Sequence, residues 1–232
     1  DDPIGQYASL VLDPTESYHP RIAVYKYDDA ALPIEQDLVY ASFDGTVWTL
    51  TPIDTAGDVG KFASLRLDSS GYPHIAYYDA TNGDLEYYWE TVGGPHYSTI
   101  DSFGNVGQYA SLALDGSGYP HIAYYDADAK DLRYAAWDGS DWNFETVDST
   151  GDVGQFASLA LDGSGNPRIA YFDVTNGDLK YASWNGSVWV VAAIDTSGIV
   201  GHYASLALDG AGKMRIAYYD ATNGDLKYKA QQ

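Results

Sequence analysis

Short apolar runs bounded by turn residues recur along the chain, and none carries helical spacing. The segment from Val106 shows the unit. Tyr109 to Asp115 predicts a strand, and Gly116-Ser117-Gly118 a tight turn. Pro120 to Asp126 predicts a second strand, with proline at its first position, where no ladder donor is needed. Asp131 to Trp137 and Trp142 to Asp148 predict a third and a fourth, separated by Asp138-Gly139-Ser140. Ser149 to Gly154 links to the next unit.

The unit repeats. Val59-Gly60-Lys61-Phe62-Ala63-Ser64-Leu65 returns from Val106, Val153 and Val200, at a period of 47 residues. A divergent first copy begins at Ile4-Gly5-Gln6-Tyr7-Ala8-Ser9-Leu10. Between the copies that start at Val106 and Val153, 27 of 47 positions are identical, which duplication explains and chance does not. The copies are 4–58, 59–105, 106–152, 153–199 and 200–232.

A four-stranded antiparallel meander cannot bury both of its faces alone. Repeated at 40 to 50 residues, it stacks face to face around an axis. The expected fold is therefore all-β: a single five-bladed β-propeller domain over 1–232. A β-sandwich, the competing class, has no reason to repeat at this period. Small residues in each first strand suit a crowded position beside the axis. The tryptophan pairs Trp137 with Trp142 and Trp184 with Trp189 are expected to pack around the outer turns. The fifth copy stops after its third strand, so either the last blade has three strands or the chain belongs to something longer.

Composition narrows the picture. Hydrophobic residues make up 45% and charged residues 19%, a globular balance. The net charge of −21 works against nucleic acid and anionic membranes as partners. Most of the aspartates fall at turn positions, where Asp is favoured anyway, although a salty habitat would also suit them. No apolar run approaches the length of a membrane-spanning helix, and without cysteine there is no thiolate chemistry.

Candidate chemistry gathers at the loops joining strands two and three: Asp79 to Asp84, Asp126 to Asp131, Asp173 to Asp178 and Asp220 to Asp225. Beside them lie Lys61-Phe62, Gln108-Tyr109, Gln155-Phe156 and His202-Tyr203. In the first copy the corresponding segment, Lys26 to Gln36, is longer, and long loops on a rigid scaffold often carry function. Asp79-Xaa-Xaa-Asn82-Gly83-Asp84 suggests calcium but lacks EF-hand spacing, and Asn-Gly is first a hairpin turn. No cofactor is therefore expected, calcium being the sole candidate. His74 and His121 occupy a position filled elsewhere by Arg21, Arg168 and Arg215, so they are expected to donate hydrogen bonds, not to bind metal. No nucleophile elbow, phosphate loop or dinucleotide fingerprint occurs.

Ser42 to Trp48, Ala136 to Trp142 and Ser183 to Trp189 resemble the Asp-box turns of sialidase-like propellers, differing by one residue between Asp and Gly. The plan of five repeats resembles the tachylectin-2 type of five-bladed lectin, and the Pro-His-Ile-Ala-Tyr-Tyr-Asp segments resemble repeats of secreted prokaryotic propellers. The lectin resemblance implies glycan binding at repeated sites. Near-identical copies give near-identical environments, whereas a catalytic acid–base pair needs two different ones. The expectation is thus a non-enzymatic, multivalent, lectin-like module, secreted or at the cell surface. Its site residues would be Tyr78, Asp79, Tyr125, Asp126, Phe172, Asp173, Tyr219 and Asp220. The alternatives are a scaffold for an extracellular protein partner and a hydrolase or lyase with its site near the first copy. Two close carboxylates in unequal environments would favour the last.

Overall fold

The computed structural model describes residues 4–29 and 34–231. They form nineteen strands and, among the described residues, no helix. Two compact units divide the chain, Asp1–Leu112 and Ala113–Gln232.

The first unit holds two complete meanders. Sheet 1 is β1 (Ile4–Asp13), β2 (His19–Asp28), β3 (Glu35–Phe43) and β4 (Trp48–Asp54). Sheet 2 is β5 (Val59–Leu67), β6 (Pro73–Asp79), β7 (Asp84–Thr91) and β8 (Gly94–Asp101). β9 (Val106–Leu114) opens sheet 3 and crosses into the second unit. There it continues with β10 (Pro120–Asp126), β11 (Asp131–Trp137) and β12 (Trp142–Asp148). Sheet 4 is β13 (Val153–Leu161), β14 (Pro167–Asp173), β15 (Asp178–Trp184) and β16 (Trp189–Asp195). Sheet 5 has three strands, β17 (Val200–Leu208), β18 (Met214–Asp220) and β19 (Asp225–Ala230). Every sheet uses consecutive strands only, which is the blade order of a β-propeller and not the crossed connectivity of a sandwich.

The second, third and fourth strands of sheet 3 match their expected spans residue for residue. Its first strand begins three residues earlier than expected, at Val106. The equivalent strands of the other sheets show why. Each glycine after the opening Val or Ile has positive φ, and so does the aromatic two residues on: Tyr7, Phe62, Tyr109, Phe156 and Tyr203, at +52° to +55°. The ladder shifts register around both residues, as between Val59, Lys61 and Ser64. The pattern is a bulged extension that sequence periodicity does not register. A bulky residue in this region is strained by about 1–3 kcal/mol, so packing must hold it there. In the first unit Phe62 sits 4.6 Å from Tyr7 and 4.5 Å from Tyr109, ring centre to ring centre.

Neighbouring sheets bury apolar layers against each other. Between sheets 1 and 2 the layer contains Leu38, Tyr40, Ile53, Leu65, Ile75, Tyr77 and Tyr88. Between sheets 3 and 4 it contains Leu132, Tyr134, Leu159, Ile169 and Tyr171. Trp137 packs on Trp142 at 5.9 Å and Trp184 on Trp189 at 5.7 Å, as expected of the outer turns. At the expected donor position the arginines donate, and each histidine nitrogen meets a tyrosine hydroxyl that can itself donate. Arg168 donates to Asp162 at 2.6 Å and Arg215 to Asp209 at 2.6 Å, while His74 and His121 bond the Tyr87 and Tyr134 hydroxyls.

The expected long loop from Lys26 to Gln36 is largely hairpin. Lys26 pairs with Asp37, Tyr27 with Gln36 and Asp28 with Glu35, and Lys26 forms an ion pair with Glu35. Of that segment, residues 30–33 lie outside the described residues.

Candidate functional site

The aspartates singled out in the second strands cap the loops that follow them. Asp79 accepts from the Thr81 and Asn82 backbone N–H groups, and its second oxygen accepts from the Asn82 side chain at 2.7 Å. Asp220 does the same with Thr222 and Asn223, Asp173 accepts from the Asn176 backbone and side chain, and Asp126 accepts from the Asp128 and Ala129 N–H groups while its second oxygen meets Arg133 at 3.4 Å. All four are buried. Their aromatic neighbours point elsewhere, as strand alternation requires. Tyr78 donates to Asn105 at 2.7 Å, Tyr125 to Asp152 at 2.8 Å, and Phe172 lies 4.0 Å from the His202 ring. Tyr78, Tyr125 and Phe172 are buried, whereas Tyr219 is partly open. The structure thus spreads these eight residues over two faces of four sheets. Among the described residues no group of three or more His, Cys, Asp or Glu is placed to hold a metal ion.

The loop aspartates belong to a wider pattern that differs between copies. In sheet 4, Tyr171 donates to Asp148 of the preceding sheet at 2.7 Å. Lys180 bonds the same Asp148 and lies 3.7 Å from Asp173. Burial opposes ionisation of Asp148, but the bonds from Lys180 and Tyr171 outweigh it and hold its carboxyl below the ordinary value. Sheet 5 repeats the motif: Tyr218 donates to Asp195 at 2.6 Å, and Lys227 bridges Asp195 at 3.2 Å and Asp220 at 3.1 Å.

Sheet 2 keeps the carboxylates and loses the cation. Tyr77 donates to Asp54 at 2.7 Å, and Asp79 occupies the position of Asp173 and Asp220. Where those sheets carry Lys180 and Lys227, opposite Tyr171 and Tyr218, sheet 2 places Glu86 opposite Tyr77. Burial pushes the Glu86 carboxyl above its ordinary value. A 2.6 Å bond from Thr99 works against that shift, and the charges of Asp79, Asp84 and Asp54 add to it. Burial raises Asp84 too, helped by Asp79 and Asp101. Among the described residues no Lys, Arg or His forms an ion pair with Asp54, Asp79 or Glu86.

These groups face sheet 1 across the gap to β4. Glu86 and Asp54 are both half-buried, and Thr99 is exposed. Tyr97, beside Thr99 on β8, is 52% exposed and donates to the Ile53 carbonyl at 3.1 Å, which holds its ring next to Asp54. The result is a half-open seam between β4 and β7–β8 that carries an exposed aromatic ring, one carboxylate held by a tyrosine and a second carboxyl whose pKa is raised. Glu86 was not among the residues singled out from the sequence. The signal for it was present: one acid at a repeat position that is Arg133, Lys180 and Lys227 in the later copies.

No family model matches the chain, and no curated protein matches it in sequence. Solved structures do match in fold. A protein of unknown function from Dyadobacter fermentans superposes with a TM-score of 0.68 at 12% identity, over 100% of this chain and 80% of that one. A Hadza microbial sialidase gives 0.66 at 12% identity, over 100% of this chain and 53% of its own length, so the chain spans about half of that enzyme. An endo-1,4-β-xylanase from Bacteroides thetaiotaomicron gives 0.53 at 13%, over 99% and 95%. These likenesses show a β-propeller fold. They also correct the expectation of a lectin-like, non-enzymatic module: the neighbours that bear functional names are mostly glycoside hydrolases.

Proposed function

We propose that the chain is a hydrolase of glycosidic bonds, working in the cleft between β4 and β7–β8. The observation that carries this reading is Glu86. It replaces the lysine that neutralises the same cluster in sheets 4 and 5, and it leaves two neighbouring carboxylates in unlike environments. Such a pair divides the work of glycoside cleavage. Glu86, whose carboxyl burial and the surrounding negative charge push above its ordinary value, donates its proton to the leaving oxygen. Asp54, oriented by Tyr77, supports the positive charge that develops on the sugar ring, or activates the attacking water. The half-open ring of Tyr97 offers an apolar surface on which a sugar face stacks. The names of the fold neighbours agree in reaction class, and a setting outside the cell, where polysaccharides occur, goes with this reading.

The test is turnover of a panel of 4-nitrophenyl pyranosides and furanosides, together with xylo-, arabino- and galacto-oligosaccharides. Glu86→Gln is expected to lower kcat by about 10²–10⁴-fold on the oligosaccharides. The loss is smaller on the aryl glycosides, whose leaving group needs little protonation. Asp54→Asn loses activity on both. Activity falls as pH rises through the raised pKa of Glu86, because the acid must hold its proton. No turnover across the panel, or wild-type rates in Glu86→Gln, overturns the proposal.

A further inference from the structure

Four Asn-Gly pairs occur in the chain: Asn82-Gly83, Asn176-Gly177, Asn185-Gly186 and Asn223-Gly224. All four asparagines are exposed, so access to water does not separate them. Such a pair has a reaction of its own. Glycine has no side chain to shield its backbone nitrogen, which can add to the carbonyl carbon of the preceding asparagine side chain. Two groups must be at liberty for that step: the glycine N–H, which is the nucleophile, and the side-chain NH2, which leaves.

In three pairs both groups are tied. Gly83, Gly177 and Gly224 donate their N–H groups to the carbonyls of Asp79, Asp173 and Asp220 at 2.9, 2.8 and 2.8 Å. Asn82, Asn176 and Asn223 donate their side-chain amides to the carboxylates of the same aspartates at 2.7, 2.9 and 2.8 Å. Each loop is thereby closed on a buried aspartate.

Asn185-Gly186 lies elsewhere, in the turn between β15 and β16. Residues 185–188 are exposed, and a Cβ on Gly186 would meet no atom within 4 Å. Among the described residues no hydrogen bond engages the Gly186 N–H or the Asn185 Nδ2. The atom that is engaged is Asn185 Oδ1, which accepts from the Ser187 and Val188 N–H groups at 3.0 Å each. Negative charge develops on that oxygen when the nitrogen adds, and two backbone donors aimed at it stabilise the charge.

The same turn in other copies accommodates the product. Sheets 1 and 3 carry Asp44 and Asp138 at this position. Asp44 accepts from the Thr46 and Val47 N–H groups at 2.8 Å, and Asp138 from those of Ser140 and Asp141 at 2.9 Å. Backbone bonds, foremost those from Val47 and Asp141, hold the two carboxyls below the ordinary aspartate value.

We infer that Asn185 is a self-modification site, at which the chain deamidates without an enzyme and ahead of its other three Asn-Gly pairs. The Gly186 nitrogen bonds to Asn185 Cγ, and the Cγ–Nδ2 bond breaks. Ammonia leaves with the Gly186 proton, and a cyclic imide remains. Water then opens the imide at either carbonyl. Cleavage of the new Cγ–N bond gives aspartate, and sheet 4 acquires the turn of sheets 1 and 3. Cleavage of the original peptide C–N bond gives isoaspartate, whose lengthened backbone disrupts the turn between Trp184 and Trp189. Either product adds a carboxylate. This inference stands apart from the proposed hydrolase activity.

Peptide mapping by mass spectrometry tests it, on folded wild type held in mildly alkaline buffer at physiological temperature. Asn185→Asp supplies the standard for the aspartyl peptide. Asn185 is expected to convert first, with Asn82, Asn176 and Asn223 about 10–100-fold slower, because two hydrogen bonds must open at each of them. In concentrated urea, where those bonds are gone, the four pairs convert at comparable rates. Persistence of Asn185 in the folded protein, another Asn-Gly pair that converts as fast, or a spread among the four that survives in urea overturns the inference.

Discussion

At the scale of single residues, one substitution separates the cleft of sheet 2 from its copies. Lys180 and Lys227 neutralise a pair of aspartates, and Glu86 at the same position adds to the negative charge. The pKa of Glu86 is raised by folding, so whatever stability its protonated form contributes is fully present below the unfolded value and is lost as pH rises through the folded one. Glu86→Lys is thus expected to raise the melting temperature at neutral pH while abolishing turnover. The gain is about 1 kcal/mol for a half-buried pair, which at this chain length is about 2–4 °C. Glu86→Gln stabilises in the same direction but less, and the difference from wild type vanishes in acid, below the ordinary glutamate range. Calorimetry across pH checks both. Stability given up where charge is concentrated is the usual signature of a working site. The eight residues expected from the sequence failed to include Glu86 because they were chosen for sameness. The cleft instead joins an aspartate of the first copy to the odd glutamate of the second, and only the stacking of sheets brings these together.

At the scale of strands and turns, the sequence was most legible where local chemistry dictates the backbone. Pro120, Asp131 and Trp142 open their strands as expected, and Asp-Gly and Asn-Gly turns close them. The first strand was read short because its opening residues are shaped by the neighbouring sheet. Gly107 has φ of +105° and lies against the Leu85 backbone, so its role is invisible to any window of sequence. Gly116, in the following turn, has open space around it. Gly107→Ala is therefore expected to cost about 2–4 kcal/mol, combining a strained conformation with a backbone clash. Gly116→Ala should cost less than about 1 kcal/mol. Urea melts of the two variants would show whether close approach between sheets sets the choice of glycine. The Lys26 to Gln36 segment teaches the converse: its extra residues mostly lengthen a hairpin, since Lys26, Tyr27 and Asp28 find partners in Asp37, Gln36 and Glu35.

At the scale of the whole molecule, the 47-residue period gave away the fold class because each period holds four short strands and no helical spacing, which is a stacked meander. The candidate site was less legible, since near-identical copies argue for equivalent sites and the asymmetry rests on a single side chain. The tryptophan pairs of the outer turns have a practical bearing on how the molecule's unfolding is followed. Sheets 3 and 4 carry two indoles each, sheets 1 and 2 carry Trp48 and Trp89, and sheet 5 carries none. Selectively excited tryptophan fluorescence consequently has no reporter in the last sheet, whereas far-ultraviolet dichroism registers every strand. If sheet 5 frays ahead of the rest, the dichroism midpoint will precede the fluorescence midpoint. Coincident curves would mean that all five sheets melt as one cooperative body.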